Sequence, residues 1–126
     1  MTECMIDNGN GPGARLSALR ANQPALNAVA LATRQGLLIS ADAEEGADLE
    51  TLAALGADLL ECAGPPTRAL AGGEPREATA RGPSGHIIAV AAGENAVLVA
   101  LNDALTPSSS VLPDLREAAE ELAEEL

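Results

Sequence analysis

His86 is the single imidazole in this 126-residue chain, so any general base or metal centre of the usual kind would be built around it. It opens the apolar run "HIIAVA", and no carboxylate pair or serine stands at a spacing that would use it, so it reads as a bystander on a strand. Cys4 and Cys62 lack the spacing of a zinc site or a redox CxxC pair and read as small apolar residues. The glycine-rich pieces "GNGPG" and "AGGEP" have neither the strand-to-helix setting nor the lysine of a phosphate loop. Ser108, Ser109 and Ser110 are possible phosphate acceptors, but three serines before a helix read first as capping and linker chemistry. Phe, Tyr and Trp are absent, which leaves nothing on which a flat cofactor or base would stack. With no nucleophile, base or metal set legible, the expectation is a protein that is not an enzyme, holds no cofactor or metal, and works through a surface.

Charge narrows the partners of that surface. The chain has a net charge of −12, with seven arginines and no lysine. Nucleic-acid binding depends on cations displacing condensed counterions, so a nucleic acid or an anionic membrane is not an expected partner. The acidity serves solubility, or complements a basic patch on another protein. The stretch "MTECMIDNGNGPGA" has no basic start and no apolar run, and no later segment is apolar for long enough to insert in a bilayer, so the expected location is the cytoplasm. Hydrophobic residues make up 47% of the chain, but apart from two Met and two Cys they are Ala, Leu, Val and Ile. Small side chains bury little area each, and the thin core that results favours a dimer that buries more.

The elements that carry the surface can be read from periodicity. Residues 1–11 have no apolar pattern and are expected to form a disordered tail before a single domain over residues 12–126. "ARLSALRA" makes a short amphipathic helix that ends before "NQP". "ALNAVALATRQGLLIS" reads as two apolar strands, both expected well inside a sheet, joined by a tight turn with Gly36 in the left-handed conformation. Asp48 is placed to cap a second helix, whose apolar stripe is Leu49, Leu52, Gly56, Leu59 and Ala63, and "GPP" stops or kinks it. "REATAR", "HIIAVA" and "AVLVALN" then form an antiparallel meander with the polar strand at its edge. The last helix is expected to be capped by Ser110 or a neighbour with Pro113 in its first turn, and to bury Leu115, Ala119, Leu122 and Leu126. Its terminal glutamates oppose the helix dipole, so its end should fray unless something basic meets it.

This order, α-ββ-α-βββ-α, is an α+β sandwich with a five-stranded antiparallel sheet. Together with "ALNAVALATRQGLLIS", the long Ala/Leu helix from Asp48, "REATARGPSGHIIAVAAGENAVLVALND" and the acidic terminal helix, it resembles the Roadblock/LC7 family of MglB-like regulators and dynein light chains. Gln35 stands where the family's turn usually carries an acidic residue, and the "GPP" break shortens a helix that normally runs on. The resemblance implies a homodimer in which the third strand pairs with its mate and the long helices pack across the two-fold axis. It also implies a Ras-like small GTPase as partner, regulated without catalysis by this chain. The interface residues expected on that basis are Leu49, Leu52, Gly56 and Leu59 on the helix and Arg76, Glu77, Thr79 and Arg81 on the strand. Pairing centred on Thr79 sets Glu77 against the partner's Arg81, whereas Arg76 opposite Arg81 would oppose like charges. The alternative role is a scaffold or adaptor subunit in a signalling complex, for example with a sensor kinase, that leaves GTP hydrolysis unchanged. A third is a small-molecule sensor, against which the lack of aromatic and clustered polar residues speaks.

Overall fold

The computed structural model of the chain describes residues 11–126; apart from Gly11, the expected N-terminal tail lies outside them. The elements are α1 (Pro12–Asn22), β1 (Leu26–Thr33), β2 (Leu38–Ala43), α2 (Leu49–Cys62), α3 (Gly64–Leu70), β3 (Glu77–Arg81), β4 (Gly85–Ala92), β5 (Ala96–Asp103) and α4 (Ser108–Glu125). The five strands form one antiparallel sheet in the order β2-β1-β5-β4-β3.

Side-chain alternation sorts the sheet into two unlike faces. Toward α1 and α4 it presents Val29, Leu31, Ile88, Val90 and Leu98, which pack with Leu16, Leu19, Val111, Leu115 and Leu122 into the larger core. Toward α2 it presents mainly small residues, Ala32, Ala89, Val97 and Val99, against Ala53, Ala57 and Leu60. Small residues on both sides let α2 approach the strands closely, and Gly56 is where the approach is tightest. A Cβ there would overlap both methyl groups of Val99.

Several expectations need correcting. The buried side of α2 is Ala53, Gly56, Ala57 and Leu60, while Leu49, Leu52, Leu59 and Ala63 are only half-buried. The helix is therefore rotated from the expected stripe, because alanines and glycine fit the close contact better than leucines. β2 lies at an edge of the sheet and leaves Leu38 and Ile39 38% and 41% exposed. "GPP" ends α2 and opens the separate helix α3, with the prolines in its first turn, where no intrahelical amide is needed. α4 starts earlier than expected, with Pro107 rather than a serine at its N-cap, so Pro113 falls inside the helix. Leu126 is exposed rather than buried.

Local chemistry accounts for the joints. Gly36 has φ 93° in the β1–β2 turn, a conformation that costs glycine nothing and a residue with a Cβ a good deal. Asp48 caps α2, accepting from the Thr51 amide and, at 2.7 Å, from the Thr51 hydroxyl. These bonds hold its carboxyl below the ordinary carboxylate range. Arg15 of α1 lies 2.7 Å from Glu121 and 3.8 Å from Glu125. The acidic end of α4 thus meets a cation, and its helix runs on to Glu125.

Candidate interaction surface

β3 is the outermost strand on one side of the sheet. Its inner edge is fixed by the ladder to β4, where the Ala91 amide donates to the Arg76 carbonyl and the Gly82 amide to the Gly85 carbonyl, both at 2.8 Å. Antiparallel pairing alternates the direction of the backbone groups. Ala78 and Ala80 therefore point their amides and carbonyls at β4, whereas Glu77, Thr79 and Arg81 point theirs away from the sheet. The free edge offers three donors and three acceptors, with Pro75 before them and Pro83 after them.

The same three side chains lie on the α4 side, in line with Ile88 and Val90 of the neighbouring strand. There Glu77 meets Arg116 of α4, whose Nε donates to its carboxylate at 2.8 Å while Nη2 donates to the other oxygen. The bidentate guanidinium holds the Glu77 carboxyl below its ordinary range. Nothing in the local sequence points to Arg116, because the two residues lie on elements far apart in the chain. Thr79 and Arg81 remain exposed, as does Arg76. An open groove of about 820 Å³ runs beside the Glu77–Arg116 pair, between α3, β3 and α4.

The expected helix residues divide. Leu52 and Leu59 pack against the margin of the smaller core, and Leu49 is half-buried. Leu55, outside the expected stripe, is 54% exposed. Gly56 is the exception. It is buried within the protomer, against Val99 of its own sheet. α2 crosses the whole sheet, touching every strand from β2 to β3.

His86 is 4% exposed and Asn102, opposite it across β4 and β5, is fully buried. The Asn102 amide donates to the Thr106 carbonyl at 2.9 Å and fixes the loop into α4. Cys62 is a free, exposed thiol, while Cys4 lies outside the described residues. No helix among the described residues is long and apolar enough to cross a membrane.

A five-stranded antiparallel sheet, helices on both faces and a bare outer strand define a small α+β sandwich domain. The chain belongs to the Roadblock/LC7 domain family, whose model matches residues 14–102. Its fold is shared by a Roadblock/LC7 domain from Streptomyces avermitilis, at 17% identity and a TM-score of 0.81, over 90% of this chain and 95% of that one. Myxococcus xanthus MglB is 24% identical with a TM-score of 0.78, over 90% and 92% of the two chains. The gliding protein MglB from Thermus thermophilus is 25% identical with a TM-score of 0.77, over 90% and 89%. The chain matches none of the curated proteins.

Proposed function

We propose that this chain is a non-catalytic, cytoplasmic homodimer that regulates a prokaryotic Ras-like small GTPase. Membership of the Roadblock/LC7 family over residues 14–102 carries the reading, and the likeness to the gliding protein MglB at 25% identity adds to it.

The dimer forms through β3. A pairing centred on Thr79 matches each of the three outward-pointing residues with another, Thr79 with Thr79 and Glu77 with the partner's Arg81. A shift of two residues either way brings Pro75 or Pro83 into the new ladder, and proline has no amide to donate. The Thr79 register thus gains hydrogen bonds that the shifted ones lack. It also places a second guanidinium beside a carboxylate already held by Arg116, so its charge term is smaller than an isolated pair would give. Leu49, Leu52 and Leu59, with Leu55, provide apolar surface for packing beside the joined strands.

The deciding experiment is a pull-down from host lysate with the tagged chain as bait, in excess non-hydrolysable GTP analogue or in GDP. Capture of a small GTPase in the GTP-analogue lane alone supports the regulator. The same partners in both lanes, or a kinase and no GTPase, identify a scaffold instead.

A further inference from the structure

A pocket of about 340 Å³ opens where the end of β3, the start of β4 and the first turn of α4 meet. Arg81, His86, Leu105, Ser108 and Ser109 line it, and none of its lining side chains is acidic although the chain carries a net charge of −12. Four features converge on this spot. Arg81 is exposed and makes no ion pair among the described residues, unlike Arg15, Arg20, Arg68 and Arg116. The 18-residue helix α4 begins here with no acid in its first turn and no side-chain cap. The Ser108 and Ser109 amides precede the point at which intrahelical bonding starts. Finally, His86 is 4% exposed, yet its Nδ1 is buried without a hydrogen-bond partner.

That last feature separates this helix start from any other. Buried polar atoms are nearly always paired, and one left unpaired is costly. Asn102 faces His86 directly across the sheet, and its Oδ1 is likewise unpartnered. The two orphans do not satisfy each other, so the imidazole lines a positively polarised pocket with hydrogen-bonding capacity unspent.

We propose that Arg81, His86 and the first turn of α4 bind a phosphate-class oxyanion, carried by free phosphate or by a small phosphomonoester. A guanidinium fork, two helix amides and two hydroxyls approach from different sides, which suits a tetrahedral anion with several acceptor oxygens. The pocket's size and its lack of aromatic walls fit a phosphate on a short carbon chain and not a nucleoside. This site is independent of GTPase binding. In a dimer paired about Thr79 it lies at the seam, where Arg81 faces the partner's Glu77 and the anion competes for the guanidinium with that carboxylate, which the partner's Arg116 already holds.

The test is amide-resolved NMR of the full chain, titrated with sodium phosphate, with glycerol phosphate, and with sodium chloride at matched ionic strength. Saturable shifts at His86, Ser108 and Ser109 with either phosphate and not with chloride are expected, and the tighter of the two names the source. Arg81→Ala weakens binding at least about tenfold, as loss of a charged hydrogen bond does. Ser109→Pro, tolerated in a first helical turn, weakens it severalfold with the fold intact. Arg68→Ala removes the same charge at the distant Arg68–Glu74 pair and leaves the affinity unchanged. Absence of saturation, an equal response to chloride, or equal weakening by Arg81→Ala and Arg68→Ala overturns the site. So does a pocket already closed by the partner's Glu77, which gives no titration.

Discussion

Arg116 of α4 grips Glu77 at the start of β3 through both oxygens of its carboxylate, with Nε at 2.8 Å. One bond pair thus ties the outermost strand to a helix that packs chiefly on its neighbours. It positions the edge on which the proposed dimer depends.

Glu77 titrates lower in the folded chain than its ordinary value of 4.5, chiefly through its hydrogen bond to Arg116. A lowered carboxyl contributes stability above its unfolded value, and that contribution is lost as the pH falls through the folded one. Arg116→Ala should therefore be less stable than the parent in urea unfolding at pH 6, with the difference closing as the pH drops below about 4.5. A difference that is constant with pH would assign Arg116 a packing role only.

Gly56→Ala places a methyl group against Val99. Alanine favours a helix over glycine by about 1 kcal/mol, but overpacking a close contact costs about 1–3 kcal/mol. Net destabilisation is expected in chemical denaturation, with recovery in the double variant Gly56→Ala, Val99→Ala. A more stable single variant would show that α2 can ride away from the sheet freely.

Thr79→Pro deletes an amide that points away from β4, so the protomer's own ladder is kept while the proposed pairing loses its central bonds. Sedimentation should shift toward monomer with the circular dichroism unchanged. An undisturbed dimer would place the contact elsewhere than β3.

Arg20 and Arg15 offer a comparison of ion pairs. Arg20 donates to Asp42 at 2.9 Å and to the Leu26 carbonyl at 3.0 Å, and its side chain is 22% exposed. Arg15 meets Glu121 with both side chains more than 40% exposed. Arg20→Ala should cost about 1–2 kcal/mol, since it also leaves a backbone carbonyl unpaired. Arg15→Ala should cost about 0.5 kcal/mol or less, as exposed pairs do. Melting curves of the two variants check the order.

Local pattern made much of the architecture legible. Alternating apolar residues, the positive-φ turn at Gly36, the Asp48 cap and the polar alternation of "REATAR" each act over a few residues, and the structure holds each where the sequence puts it. The family's signature lies in that order of elements and not in a catalytic motif. Where the structure departs from that pattern, the deciding contact is distant in the chain. The buried face of α2 is not the one hydrophobicity picks, because hydrophobicity alone ranks leucine above alanine and glycine. The Ala-rich strand face rewards closeness instead. By its apolar residues β2 reads as an interior strand, and only the sheet order shows that it has one neighbour.

By itself, then, the sequence determined the order of strands and helices, the polar outer strand and the surplus of acid, because periodicity, turn residues and charge are properties of neighbours. Tertiary structure alone decided that Arg116 would hold Glu77, that Gly56 would serve its own sheet, and that Arg81 and His86 would meet the start of α4. Those pairings depend on how layers stack and how chain reversals align. No short-range preference encodes the distance between residues that the fold brings together.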